Sequence, residues 1–279
     1  MRFPRHASPE LSEELNAQAA LLTVEILPQP DDETCGPTCL QAVYQYWGDD
    51  ISLAQVIDSV RTITAQGRGT LAVMLGIHAL RRGYAARLYT FNVQVFDPTW
   101  FNVHGDAEPR ALCDKLARQL TAKAAIDVAD TRLHVATDSY LEFLRLGGVI
   151  RFRDLTSRLI SSAIRKGLPV LTGLSATYLY RCAREFGPND DYDDIRGEPA
   201  GHFVVLHGYD PRGRRVTVAD PLANNPGFDS QRYTVAMARL VPAIMLGVLT
   251  YDANLLVIEP RQSKHAEFRN KGKKAVPIQ

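Results

Sequence analysis

Between Gly201 and Pro221 the chain reads GHFVVLHGYDPRGRRVTVADP, two apolar, β-rich runs joined by Asp210, Pro211, Arg212 and Gly213. Proline presets φ for the first central position of a turn, aspartate accepts backbone hydrogens two residues on, and glycine tolerates the conformations a reversal needs. The two runs are therefore expected to pair as an antiparallel hairpin. Centring the turn on Pro211 and Arg212 sets Asp220 opposite His202, or one position away if a bulge forms at Gly213. Opposed residues share a sheet face and their side chains meet, so an imidazole and a carboxylate are expected in contact. A buried hairpin can equally hold His202 as a satisfied core residue. His207, nearer the turn, is expected on the opposite strand face without a carboxylate partner. His78, His104 and His134 lie in helical or loop contexts and read as structural or surface residues.

The second informative stretch is QPDDETCGPTCLQAVYQYW, Gln29 to Trp47. Leu40, Val43, Tyr44 and Trp47 recur at helical spacing and Gly48 is a C-terminal cap, which starts a helix near Cys35. Pro37 is accepted there because first-turn amides have no intrahelical acceptor. A thiol at that end feels the positive pole of the helix and lies among unpaired N–H groups, which favour a thiolate and can hold an oxyanion. Asp31, Asp32 and Glu33 act in the opposite sense, so activation requires an imidazolium nearby. Without that partner Cys35 is one more inert buried thiol, as Cys39, one turn on, is expected to be.

The remaining chain divides in character. Short helices are expected over Ser52–Val60, Leu71–Arg82 (capped by Thr70), Glu108–Ala124, Asp138–Leu146 and Ser157–Arg165, with strands at Tyr84–Phe91 and Pro169–Leu174. Phe203–Tyr209, Arg214–Ala219 and Leu255–Ile258 make the second half β-rich. A helical part and an antiparallel sheet part are implied, an α+β class. Val24, Ile26 and Leu27 are expected as a short strand that positions Gln29, after a helical patch over Leu11–Leu22. Residues 1–24 form a polar lead-in, 25–260 the main domain and 261–279 a basic, solvated tail.

The formal net charge of +1 offers no bulk electrostatic case for nucleic acid, membrane or an acidic partner. Four cysteines at 35, 39, 113 and 182 form neither a disulfide framework nor a paired zinc motif. The Ala19–Leu22 run is too short for a signal-peptide core and no stretch reaches membrane-spanning length, so a cytoplasmic protein is expected. Gly67–Thr70 lacks the lysine of a phosphate-binding loop, and no cofactor is expected. Asn189–Asp194 with Glu198 reads as a solvated loop, or as a lid receiving a cationic group; it lacks the register of a calcium loop. Oligomeric state is not legible.

Taken together, Gln29, then Thr34-Cys35-Gly36-Pro37-Thr38-Cys39-Leu40, with Gly201-His202-Phe203 and Val218-Ala219-Asp220-Pro221 downstream, resembles the C39 branch of the papain-like cysteine peptidases, and more narrowly its stand-alone bacterial C39-like proteins. That resemblance spans roughly Ile26 to Pro226. It implies a papain-like fold and a peptide or amide substrate, with Cys35 as nucleophile, His202 as general base and acid, Asp220 as orienting acid and Gln29 as oxyanion donor. Transporter-linked members carry aspartate where this chain has Thr34, so their leader-peptide substrate does not carry over. The same triad serves an acyltransferase, and a catalytically idle peptide-binding module is the remaining alternative.

Overall fold

Along one central strand, Phe203 and Val205 enter one apolar cluster while Val204 and Leu206 enter another. Successive side chains on a strand point to opposite faces, so this strand lies buried between two layers. The computed structural model describes residues 19–63, 70–126, 131–250 and 253–261. Its strands are β1 (Ala20–Leu21), β2 (Tyr84–Thr90), β3 (Val149–Arg151), β4 (Val170–Ser175), β5 (Glu185–Phe186), β6 (Asp191–Tyr192), β7 (Gly201–Asp210), β8 (Arg215–Ala219), β9 (Arg232–Ala236) and β10 (Asn254–Pro260). The helices are α1 (Cys35–Tyr46), α2 (Leu53–Ile63), α3 (Ala72–Arg81), α4 (Pro109–Ala124), α5 (Thr131–Arg145), α6 (Ser157–Arg165), α7 (Ala176–Tyr180) and α8 (Met237–Met245).

One eight-stranded sheet runs in the order β3-β2-β10-β4-β7-β8-β9, with β1 added on β7. Its pairings are antiparallel except β2 with β3. The class is α+β, with the helical part and the antiparallel part meeting on a shared sheet. Leu40, Val43, Leu75 and Phe143 cover one face from α1, α3 and α5. Ile160, Leu179, Leu240 and Ile244 cover the other from α6, α7 and α8. Strand β7 is buried from His202 to Tyr209 because both its faces are covered.

Several boundaries differ from the expected ones, for local reasons. Thr70 does not cap α3; Leu71 holds that position and no side chain caps it. Glu108 caps α4 instead of joining it, accepting from the amides of Arg110 and Ala111. The end of the expected Leu11–Leu22 helical patch is strand, because Ala20 and Leu21 pair with Tyr209 and Gly208. Residues 22–29 form no strand. They run past the sheet ends, held at intervals by Leu22 N to His207 O (2.8 Å) and Gln29 N to Pro221 O (2.9 Å). Strand β9 and helix α8 were not expected from the sequence. Residues 1–18, the Gly67–Gly69 loop and the tail beyond Arg261 lie outside the described residues. Among the described residues no helix is long and apolar enough to cross a membrane.

The far end of α1 is anchored by charge. Asp49 accepts from Arg82 Nε (2.8 Å) and Tyr84 Oη (2.9 Å), and a second Arg82 nitrogen bonds its other oxygen. The carboxylate side chain is only 9% exposed against 32% for the guanidinium, so removing it takes a charged acceptor away from a buried hydroxyl and a half-buried cation. Asp49→Ala is expected to cost about 2–3 kcal/mol in urea denaturation. A loss under about 0.5 kcal/mol, the size of a surface change, would show that this pair does not anchor the helix.

Candidate active site

Cys35 is the first residue of α1. The preceding turn is closed by Thr34, whose hydroxyl donates to Asp31 O at 3.0 Å and accepts from Asp31 N at 3.2 Å. Arg61 reaches Asp31 at 3.3 Å, which offsets one of the three acidic side chains before the thiol. Gly36 lets the helix start lie close against β7: a Cβ there would sit 3.3 Å from both Leu75 and Phe203 side chains.

His202 enters from β7, paired across to Leu174 of β4. Its Nε2–H donates to Asp220 Oδ1 at 2.8 Å. The second ring nitrogen is left for Cys35, which lies close enough to the imidazole to help raise its pKa. Burial lowers the pKa of His202, but hydrogen bonds and charge from Asp220 and Cys35 outweigh it and lift the value to about 10. The ring is thus imidazolium at neutral pH. Facing a sulfur at a helix N-terminus, it supplies the positive charge that a thiolate needs.

The register that brings Asp220 there corrects the expected one. The turn is longer, closing with Asp210 opposite Arg215 and with Arg214 at φ 47°. The bulge falls at His207, between Leu206↔Val218 and Gly208↔Thr217, and not at Gly213. Continuing from Val205↔Ala219 sets Asp220 level with Val204, so His202 meets it diagonally, two residues along on the same face. Bulged His207 is spent on structure: Nδ1 bonds Leu22 O at 2.8 Å, and burial keeps its pKa below the ordinary histidine value. His78 is likewise internal, with Nδ1 bonded to Tyr44 Oη at 2.8 Å and its pKa lowered by burial to about 4.

Asp220 is fully buried yet carries four hydrogen bonds. Oδ1 accepts from His202 and from Leu222 N (2.9 Å), while Oδ2 accepts from Tyr180 Oη and Tyr233 Oη, each at 2.7 Å. Burial raises the carboxyl pKa, but His202 and the two phenols more than reverse this and hold it below the usual range. Both tyrosines are pushed the other way, by burial first and then by the charge of Asp220, so they stay protonated donors. Sequence reading missed them. Tyr180 ends α7, Tyr233 lies in the unforeseen strand β9, and neither carries a motif that marks it. Phe228 stacks on Tyr233 at 3.6 Å. Gly227 allows its loop to touch Tyr180, since a Cβ would come within 2.8 Å of the Tyr180 Cα.

Gln29 joins the cluster through its backbone, bonded to the carbonyl of Pro221, the residue after Asp220. Its side-chain Nε2 donates to Asp31 O at 3.0 Å, which uses one of two amide hydrogens. The other three cysteines are biased toward the neutral thiol. Cys39 Sγ donates to Phe203 O at 3.3 Å, and burial raises the pKa of Cys39, Cys113 and Cys182. The acidic loop is partly self-satisfied, Asp193 accepting from Ile195 N and Arg196 N at 2.9 Å each. Glu185 of β5, outside the expected lid, lies near enough to Asp190, Asp32 and His202 to feel their charges; burial, then Asp190 and Asp32, raise its pKa. Among the described residues no three His, Cys, Asp or Glu side chains are grouped to hold a metal.

Residues 127–240 match the Peptidase_C39 like family. The chain resembles the C39-like peptidases. This C39-like match takes in His202 and Asp220 and leaves out Cys35 and Gln29. No curated protein matches the chain by sequence. Similar solved structures include a C39-like peptidase from Bacillus anthracis, 15% identical over 88% of this chain and 99% of that one, with a TM-score of 0.40. Xylellain, a cysteine protease from Xylella fastidiosa, is 13% identical over 90% of this chain and 89% of its own, at 0.41. The peptidase domain of Streptococcus ComA, a bifunctional ABC transporter, is 12% identical over 86% and 100%, at 0.37. At these values the likeness is one of outline.

Tyr180→Phe and Tyr233→Phe each remove one donor from a carboxylate without solvent, and kcat on a cleavable substrate is expected to fall about tenfold in each with little change in KM. The sign in pH follows from the lowered pKa of Asp220. Its contribution to stability is present above the unfolded value of about 3.9 and is lost as pH falls through the folded value. Taking away a phenol raises that folded value, so thermal stability and activity should fail at higher pH on the acid side than in the unaltered protein. An unmoved acid limb in the double variant would show that the phenols do not hold the charge.

Proposed function

We infer that the protein is a cysteine peptidase or amidase acting through Cys35, His202 and Asp220. The observation that carries this reading is His202 bonded to a buried, ionised Asp220 and lying near enough to Cys35 for the two to shift one another's charge. A core histidine kept only for packing would not need a carboxylate held by four donors.

In the proposed reaction, the thiolate stabilised by the His202 imidazolium attacks the substrate carbonyl. The backbone N–H of Cys35 and the remaining amide hydrogen of Gln29 take the oxyanion. The imidazolium protonates the departing amine, and the neutral ring then draws a proton from water to release the acyl group. Asp220 keeps Nε2–H oriented and compensates the ring's charge without accepting its proton, because its four hydrogen bonds favour the ionised form. The carboxylates of Asp32, Asp190 and Glu185, grouped near His202, favour substrates that bring a cationic group to that side. An acyltransferase uses the same groups with an amine in place of water, and product analysis with and without added amine separates the two.

Iodoacetamide at limiting dose near neutral pH is expected to label Cys35 before Cys39, Cys113 and Cys182, read by intact mass and peptide mapping. His202→Ala should remove both that preference and turnover, whereas His207→Ala, which loses a bond to Leu22 only, should keep most activity. Preferential labelling of another cysteine, or reversed behaviour of the two histidine variants, would overturn the reading.

Gln29→Ala is expected to lower kcat by about 10²-fold or more, with KM nearly unchanged, since an oxyanion donor acts on the transition state. If steady-state kinetics show an unaltered kcat in the folded variant, Gln29 serves only as the turn residue that ties Pro221 to the thiol loop.

A further inference from the structure

Where α7, α8 and the edge strand β9 meet, the surface opens into a groove of about 890 Å³. Three arginines, Arg181, Arg215 and Arg239, face it, and none of its lining residues is acidic among the described residues. Arg215 is occupied, donating to the side chain of Thr234 at 3.1 Å and its carbonyl at 2.7 Å. Arg239 makes one long bond, 3.3 Å to Tyr178 O, and its Nε is buried without an acceptor. Arg181 is close enough for its charge to lower the pKa of Arg239, after burial. Two neighbouring guanidiniums with no carboxylate lining their groove among the described residues form a site that an anion would complete.

Most of the rest of the wall is apolar, with Ser175, Thr177 and Thr234 as its neutral polar members. Tyr178, Leu246 and Leu249 remain 42%, 36% and 54% exposed there. A bare inorganic anion would satisfy the arginines and leave these side chains in water, whereas a polypeptide bearing Asp or Glu between apolar residues covers both. The chain's own basic run from Arg261 to Lys274 has the wrong charge to be the occupant. The groove also borders the triad. Its Ser175 pairs with Gly201, next to His202, and its Phe228 stacks on Tyr233, which holds Asp220.

We propose that this groove is an exosite for an acidic, partly apolar segment of the polypeptide whose bond is presented to Cys35. That the bound segment belongs to a substrate rests on the peptidase reading; that the groove takes an acidic peptide does not. The test is therefore a binding measurement on full-length protein carrying Cys35→Ala. The probe is a fluorescein-labelled decapeptide alternating Glu and Leu, compared by anisotropy with the same peptide carrying Gln for Glu. The Glu peptide should bind about tenfold or more tightly than the Gln peptide, and weaken about tenfold in Arg181→Gln and in Arg239→Gln. Arg239→Lys, which keeps the charge, should retain most of the affinity, and added salt should reduce it. Arg181 is exposed, so its variant tests the site without disturbing the fold. Equal affinity for the two peptides, or affinity unmoved by both Arg→Gln changes, would overturn the proposal. So would displacement by inorganic phosphate at an ionic strength where sodium chloride has no such effect, which would mark a small-anion site. Should Cys35 prove unreactive while the Glu peptide still binds through Arg181 and Arg239, the peptidase reading fails and the groove stands.

Discussion

A fully buried carboxylate, Asp220, is the constraint on which the site depends. An isolated charge in such a place would cost several kcal/mol and would be avoided by protonation. Here Leu222 N, Tyr180, Tyr233 and His202 supply four donors to two oxygens, which leaves the group ionised. The histidine gains its high pKa from that charge, and the sulfur of Cys35 gains a cation to face. Each step is electrostatic, and each is stronger for the exclusion of water.

The scaffold serves that carboxylate from several directions. Strand β7 supplies His202, the end of β8 leads into Asp220, β9 supplies Tyr233, and the end of α7 supplies Tyr180. Helix α1 arrives from the opposite layer, with Cys35 at its N-terminus. The 22–29 segment closes the assembly by bonding His207 O at one end and Pro221 O at the other. The bulge at His207 is part of the same design, since the extra residue shifts the register that sets Asp220 diagonal to His202 and also frees His207 to bond Leu22 O.

The groove at α7, α8 and β9 uses the same elements from their outer side. Tyr178 faces the groove while Tyr180, two residues on, faces Asp220. Phe228 lies between, against Tyr233. A ligand in that groove would rest on the residues that hold Asp220, so binding there and the electrostatics of Asp220 and His202 share one set of packed side chains.

Much of the local structure was legible in the sequence because its causes are local. Apolar residues at helical spacing gave α1 beginning at Cys35 and α6 over Ser157–Arg165, and the Asp-Pro-Arg-Gly turn gave the β7–β8 hairpin with His202 and Asp220 on one face. The expected Val24–Leu27 strand and the expected register failed because sheet edges, bulges and turn lengths are set by what packs alongside, which a single segment does not encode. Tyr180 and Tyr233 carried no signal at all. They are 53 positions apart in the chain, and only the packing of α7 on one face of the sheet and the pairing of β9 at its edge turn two ordinary buried tyrosines into donors for one charge. The sequence by itself determined which residues have the chemistry for a thiol site. The tertiary structure decided which of them meet, because burial and hydrogen bonding between distant segments, not residue type, fix the charge state of Asp220 and His202.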